Sequence, residues 1–119
     1  MSSWSIGGIS AVTVAVARMA DSVAFYRALG FEVSYGGPSA RFTTMRAGQS
    51  VINLREETSG TAQGGCRVIL RVHGIDALHR ELVARGVAPT APRDAEWGER
   101  YCEVTDPQGV VISFAELLE

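Results

Sequence analysis

The side chains in this sequence that are best suited to chemistry lie in its second half, on predicted strands. Arg67 can hold a carboxylate or a phosphate through two parallel N–H donors. Glu103 can accept a hydrogen bond from an amine or hydroxyl, or act as a general acid or base when buried. Ser113 adds a hydroxyl, and Tyr101 adds a ring that can stack on a flat molecule. These residue types predict a surface that binds a small molecule.

A purely structural explanation covers the same residues. Arg67 and Glu103 can pair with each other and neutralise two partly buried charges, and the aromatic side chains can simply fill space. No nucleophile–base pair is evident, because Ser113 has no histidine near it in sequence. The sequence also contains no glycine-rich phosphate loop. We therefore predict no catalytic residues.

The two histidines and two cysteines form no metal-binding or redox motif. His73 follows a predicted strand and His79 lies off the apolar stripe of a predicted helix, so both are expected at the surface. Cys66 and Cys102 form no Cys-x-x-Cys motif, and Cys102 is expected in the core. Since we find no signal peptide and no long apolar segment, we expect a cytoplasmic protein with reduced thiols.

A β-hairpin over residues 101–114 positions three of the candidate residues. Asp106-Pro107-Gln108-Gly109 suits a type I turn, and Gly109 can adopt the positive φ that lets the chain return. Because strand residues alternate between faces, Tyr101, Glu103 and Ser113 share one face. The opposite face is apolar and contains Val110, Ile112 and Phe114.

The remaining pattern is an internal β-α-β-β-β repeat. Gly30 and Gly86, which end the two predicted helices, are separated by 56 positions, as are Ala11 and Arg67. Asp21 or Ser22 is the expected N-cap of the first helix. The predicted elements are strands over 9–16, 31–35, 41–45, 51–55, 66–72 and 87–93, helices over 19–29 and 75–85, and the hairpin.

This repeat predicts a single α+β domain over residues 1–119, made of two βαβββ modules. We place the first module at about 9–55, a linker at 56–65 and the second module at about 66–118. The modules are expected to form a curved, mostly antiparallel sheet, with helices on the convex face and a cleft on the concave face. Residues predicted to bind a ligand there are Tyr35, Phe42, Asn53, Arg67, Trp97, Tyr101, Glu103 and Ser113.

Two stretches resemble the opening and closing modules of a known superfamily. The first covers 12–16 and 22–33 and contains the run Phe-Tyr…Leu-Gly-Phe-Glu-Val; the second covers 97–98, 106–109 and 112–114. Together they resemble the vicinal oxygen chelate superfamily, which includes glyoxalase I, extradiol dioxygenases, fosfomycin-resistance enzymes and bleomycin-binding proteins. The resemblance implies the fold but leaves the function open.

The resemblance also implies where a metal would bind. Metal-using members place His or Glu on the first and last strand of each module, and the matching positions here are Ala11, Asn53, Arg67 and Ser113. Alanine has no donor atom, arginine stays cationic, and neutral amide and hydroxyl oxygens are weak ligands for a transition metal. We therefore expect no metal ion and no other cofactor.

Our first interpretation is a metal-independent binding protein, similar to bleomycin-resistance proteins, that sequesters an aromatic or amphipathic small molecule. The resemblance implies a homodimer with a shared cleft, with or without modules exchanged between chains. The alternatives are a lyase, isomerase or dioxygenase-type enzyme with an altered site, or a structural or regulatory domain without a small ligand. The net charge of −2 argues against a nucleic-acid partner, and we expect no membrane partner.

Overall fold

The computed structural model describes Ser3 and residues 9–57 and 66–119. Their secondary structure is the predicted repeat, with each module built as β-α-β-β-β. The elements are β1 (Val12–Val16), α1 (Met19–Ala28), β2 (Glu32–Tyr35), β3 (Phe42–Ala47), β4 (Ser50–Glu56), β5 (Arg67–Arg71), α2 (Ile75–Ala84), β6 (Arg93–Asp94), β7 (Glu99–Thr105) and β8 (Val111–Leu117).

Each module folds into its own four-stranded mixed sheet. The strand orders are β1-β4-β3-β2 and β5-β8-β7-β6, so the two sheets have the same topology. In each, the first strand runs parallel to the last and the other neighbours are antiparallel. The α+β fold with repeated modules is thus confirmed, and its concave surface is built from two sheets.

The alternation of side chains predicted for the closing hairpin is confirmed. Cys102 and Val104 are buried on the back face opposite Phe114 and Ile112, while Glu103 lies opposite Ser113 on the front. Burial also raises the pKa of the Cys102 thiol, which keeps it neutral. The back face therefore belongs to the core, and the front face is left for other contacts.

The turn of that hairpin has the expected hydrogen bonds. The Gly109 N–H donates to the Asp106 carbonyl at 3.0 Å, as in a type I turn, and Gly109 has a φ of 88°. Asp106 Oδ1 also accepts from the N–H groups of Gln108 and Val110, at 2.8 Å each. The short aspartate side chain thus holds both ends of the turn.

The N-terminus of each helix is capped by a glutamate from the last strand of the same module. Glu56 Oε2 accepts from the Met19 N–H at 3.0 Å in α1. Glu116 accepts from the Ile75 N–H at 3.0 Å and from the Gly74 N–H at 2.8 Å in α2. The two caps occupy matching places in the repeat. Their carboxylates satisfy N–H groups that have no partner within the helix.

The predicted N-cap of α1 is therefore wrong. Arg18 occupies that position, and Asp21 and Ser22 lie inside the first turn. The Ser22 side chain is fully buried and its hydroxyl has no hydrogen-bond partner in the described part of the chain. A glutamate from a distant strand replaces the local cap that the sequence indicated.

One further expectation, the strand that precedes the closing hairpin, differs from the structure. The strand predicted over 87–93 is reduced to β6, because Pro89 and Pro92 lack the N–H that a strand ladder needs. Most of the predicted linker, 58–65, lies outside the described residues, and Glu56 belongs to β4. No helix within the described ranges is long and apolar enough to cross a membrane.

The two modules share one hydrophobic core. Helix α1 packs against β2, β3 and β4, and α2 packs against β7 and β8. The Tyr26 hydroxyl of α1 donates to Asp106 Oδ2 in the second module, and Arg85 Nη1 at the end of α2 donates to the Ala28 carbonyl at 3.1 Å. These contacts hold the modules together from the back, so that both front faces stay open.

Candidate functional site

The front face of the second sheet contains a concavity of about 340 Å³. Strand register explains its floor, because Ile69 on β5 and Glu103 on β7 both lie opposite Ser113 on β8, the strand between them. Side chains at opposed positions point to the same face of a sheet. Its lining consists of Arg67, Ile69, Trp97, Glu99, Tyr101, Glu103, Ser113 and Ala115.

An ion pair crosses this surface. Arg67 Nη1 donates to Glu103 Oε2, so the predicted alternative in which these two residues pair with each other is correct for the structure as it stands. The two partners are unequally exposed, with 49% of the arginine side chain and 24% of the glutamate side chain open to solvent. The pair therefore presents its guanidinium outward and holds its carboxylate closer to the sheet.

An aromatic pair forms one side of the concavity. Trp97 stacks on Tyr101 with ring centroids 5.8 Å apart and an angle of 30° between the planes. The Arg93 guanidinium carbon lies 5.2 Å from the centre of the Tyr101 ring, and Arg93 Nε donates to the tyrosine hydroxyl at 3.0 Å. Trp97 is 69% exposed, which is unusual for a large apolar ring.

Ser113 lies at the base of the concavity. Its side chain is buried, with 6% of the residue exposed, and none of the hydrogen bonds found among the described residues involves its hydroxyl. A hydroxyl in this position can donate or accept. It is thus available to a polar atom that enters the concavity.

Five of the eight predicted binding residues come together here: Arg67, Trp97, Tyr101, Glu103 and Ser113. Tyr35, Phe42 and Asn53 lie on the first sheet instead. Asn53 Oδ1 accepts from the Thr44 hydroxyl at 2.8 Å, and Asn53 Nδ2 donates to Thr13 Oγ1 at 3.5 Å. Both ends of the Asn53 amide are therefore hydrogen-bonded to side chains of the first sheet.

A second concavity of about 340 Å³ lies where the two sheets approach each other. It is lined by residues around β1 and β4 on one side, including Val12 and Val51, and by β5 on the other. Arg67 and Ile69 line both concavities. Arg67 therefore lies at the junction of the two front surfaces.

The four positions matching the metal ligands of the vicinal oxygen chelate superfamily do not provide a metal site. Ala11 has no donor, Arg67 carries a positive charge and is paired with Glu103, and Asn53 is bonded to two threonines. Ser113 contributes one neutral oxygen. Such a set contains no imidazole, thiolate or carboxylate, the groups that transition metals prefer. Within the described ranges, no three His, Cys, Asp or Glu side chains form a group that could hold a metal ion.

Two charged residues at the site, Glu99 and Arg93, were missed by the sequence analysis. Glu99 is hydrogen-bonded by the Trp97 indole N–H at 2.8 Å, and Arg93 contacts Tyr101. Strand alternation could have identified Glu99, which precedes Tyr101 and Glu103 by two and four positions. Strand alternation could not have identified Arg93, because its strand is only two residues long.

Comparison with known proteins gives a family and a fold. The model of the Glyoxalase/Bleomycin resistance protein/Dioxygenase superfamily matches residues 8–114. No curated protein matches the sequence.

Three solved structures illustrate the likeness. An integron cassette protein from the mobile metagenome of Halifax Harbour sewage outfall has 27% identity and a TM-score of 0.81, covering 94% of this chain and 100% of its own. An antibiotic-binding protein from Streptomyces has 24% identity and a TM-score of 0.79, covering 96% and 98%. A bleomycin-binding protein complexed with bleomycin has 17% identity and a TM-score of 0.77, covering 93% and 98%.

Proposed function

The chain belongs to the Glyoxalase/Bleomycin resistance protein/Dioxygenase superfamily, and we propose that it is a metal-independent protein that binds and sequesters a small aromatic molecule. The observation that carries this proposal is the exposed Trp97–Tyr101 stack beside the Arg67–Glu103 pair. A flat apolar surface next to a few oriented polar groups is the usual composition of a ligand site. We propose Arg67, Trp97, Tyr101, Glu103 and Ser113 as its contact residues.

Sequestration is favoured over catalysis by the chemistry of the lining. The concavity offers stacking surfaces and hydrogen-bonding groups, but the residues at the expected metal positions cannot hold a metal ion. Two structures with the same fold belong to proteins whose names describe binding, one of bleomycin and one of an antibiotic. These likenesses support binding as the kind of function, and the lining residues indicate an aromatic ligand.

We also propose that the protein is a cytoplasmic homodimer whose partner covers the front faces. Large apolar side chains are exposed on both front faces, including Tyr35 at 67%, Ile69 at 63% and Trp97 at 69%. A second copy would shield them and place Tyr35, Phe42 and Asn53 of one chain near the site of the other, with or without exchanged modules. Light scattering should then give twice the chain mass of 12.7 kDa at micromolar concentration. A monomer at that concentration would remove the shared cleft from this proposal.

The function is tested by titrating chelator-treated protein with bleomycin and with planar aromatic antibiotics, using calorimetry. We expect saturable binding without added metal and without conversion of the ligand. Trp97→Ala should weaken that binding more than Tyr35→Ala does. Ligand turnover that requires Ni²⁺, Zn²⁺, Mn²⁺ or Fe²⁺ would instead identify an enzyme with an altered metal site.

A further inference from the structure

We propose that Arg67, held in place by Glu103, binds the oxyanion of a planar aromatic ligand, so that the ligand class is an aromatic carboxylate or phosphate. This inference rests on the proposed function and narrows it. A neutral aromatic compound would use only the stacking surface. An anionic one would use the stacking surface and the guanidinium together.

The geometry of the ion pair is the first support. Arginine carries five N–H donors, and Glu103 engages one nitrogen of the guanidinium, Nη1. Half of the arginine side chain is open to solvent, whereas its glutamate partner is about three-quarters covered. The remaining N–H groups can therefore reach an oxyanion without breaking the pair. Glu103 then acts as a positioning residue that restrains a flexible side chain.

The surrounding polar groups are the second support. Of the two glutamates that line the concavity, Glu103 faces Arg67 and Glu99 accepts from the Trp97 indole. The Ser113 hydroxyl is buried at the base and can donate to the same oxyanion. Arg93 adds a second positive charge beside Tyr101, and no carboxylate lies within ion-pair distance of it in the described part of the chain. The Arg67 N–H groups that Glu103 does not engage and the Ser113 hydroxyl are the donors that an oxyanion in the concavity can use.

The position of Arg67 is the third support. Arg67 lines both the concavity of the second module and the one between the sheets. A ligand with its ring against Trp97 would direct a charged substituent toward this junction. Two N–H donors of an arginine match the two oxygens of a carboxylate or phosphate, which makes the contact directional as well as charged.

The test uses four probes that share one ring system: naphthoate, naphthyl phosphate, naphthamide and naphthylmethylammonium. Each is titrated into the full-length protein by calorimetry at low and high salt. We expect the two oxyanions to bind at least about tenfold more tightly than naphthamide, which is the scale of a charged hydrogen bond. The comparison of naphthoate with naphthyl phosphate tells which oxyanion fits. Salt should weaken the binding of the two oxyanions and leave the affinity for naphthamide almost unchanged.

Two variants locate the preference. Arg67→Gln should reduce the affinity for naphthoate to that for naphthamide. Glu103→Gln keeps Arg67 and a side-chain oxygen that can accept from it, so naphthoate should bind less tightly than in the wild type but still more tightly than naphthamide. If Arg67→Gln fails to fold, the wild-type affinities for the oxyanions and for naphthamide decide whether the inference holds. Equal affinity for naphthoate and naphthamide overturns the inference but leaves aromatic binding intact. If naphthylmethylammonium binds most tightly of the four probes, the inference is also overturned, and a glutamate is the residue that binds the charged group. If no probe binds, the inference fails, and the bleomycin and antibiotic titrations judge the proposed function separately.

Discussion

The Tyr26 hydroxyl donates a 2.7 Å hydrogen bond to Asp106 Oδ2, and this bond joins the helix of the first module to the hairpin turn of the second. Tyr26 has no exposed surface and Asp106 is 4% exposed. The Tyr26 ring also meets Phe25 and Phe31 edge to face, at centroid distances of 5.2 and 5.7 Å. A single tyrosine therefore packs its ring against two phenylalanines of the first module and reaches the second module through its hydroxyl.

Removing that hydroxyl should destabilise the protein. In Tyr26→Phe, the buried Asp106 Oδ2 loses its donor, which should lower the free energy of unfolding by about 1–3 kcal/mol. Urea denaturation followed by circular dichroism measures the change. Tyr35→Phe is the matched control, because that side chain is 67% exposed and the same deletion should change stability by less than about 0.5 kcal/mol. Equal effects in both variants would contradict the role given to the bond.

The same bond predicts loss of stability at alkaline pH. Burial, with the nearby Asp106 carboxylate, raises the pKa of Tyr26 above its ordinary value of about 10. Because the pKa is higher in the folded state, this stabilisation is complete below about pH 10 and is lost as the pH rises further. The urea midpoint of the wild type should fall more steeply above about pH 10 than that of Tyr26→Phe. Parallel curves for the two proteins would show that Tyr26 does not titrate differently in the folded state.

The cap on α2 predicts a change at acidic pH. Hydrogen bonds from the Ile75 and Gly74 N–H groups lower the pKa of Glu116. The stabilisation is therefore present above the unfolded-state pKa of about 4.3 and is lost as the pH falls through the folded-state value. Glu116→Gln should lower the urea midpoint at neutral pH, and the difference from wild type should shrink on acidification. Glu32→Gln, at an exposed strand position, should leave the urea midpoint at neutral pH nearly unchanged.

The stacked ring of Trp97 predicts where an aromatic ligand binds. Trp97→Ala should weaken binding of naphthamide by about 0.5–1.5 kcal/mol, the contribution of an aromatic pair, and should leave the urea midpoint nearly unchanged because the ring is exposed. Tyr35→Ala removes an equally exposed ring from the other module. Calorimetry on both variants distinguishes the two front faces. A larger loss in Tyr35→Ala would place the ligand on the first sheet, or on a partner's cleft that the first sheet completes.

The loop between β2 and β3 requires glycine at position 36. Gly36 has a φ of 81°, and an added Cβ would collide with the Phe42 carbonyl oxygen. Thr43 holds the loop against β3, because its buried hydroxyl donates to the Gly37 carbonyl at 3.0 Å and accepts from the Gly37 N–H. Gly36→Ala should therefore cost more than the roughly 1–2 kcal/mol of a left-handed residue. Gly48→Ala, at a φ of 58° with open space around it, should cost only that amount. The two urea midpoints provide the comparison.

The parts of the fold that could be predicted from sequence are those encoded locally. Asp106-Pro107-Gln108-Gly109 contains its own turn, and alternation then assigns Glu103 and Ser113 to one face. Gly30 and Gly86 mark both helix ends, with φ values of 108° and 83°. The repeat keeps a spacing of 56 positions from the first strand to the end of the helix, and it predicted the same order of elements in both halves.

The parts that could not be predicted depend on residues far apart in sequence. Glu56 and Glu116 cap helices that begin 37 and 41 positions earlier, so local capping rules selected Asp21 or Ser22 instead. Alternation also assigns Asn53 to a front face without saying how the two sheets face each other. That relative placement separates Tyr35, Phe42 and Asn53 from the concavity around Arg67.

The matching caps have a consequence for protein engineering. The repeat keeps a carboxylate at the same structural place in both halves, Glu56 and Glu116, while most polar residues on the two front faces differ. Strand register equates Thr13 with Ile69, Thr44 with Glu103 and Asn53 with Ser113. The supporting framework and the contact surface are thus specified by separate residues. The threonine-and-asparagine face of the first module is a place to install a second specificity without altering the helix caps or the back-face core.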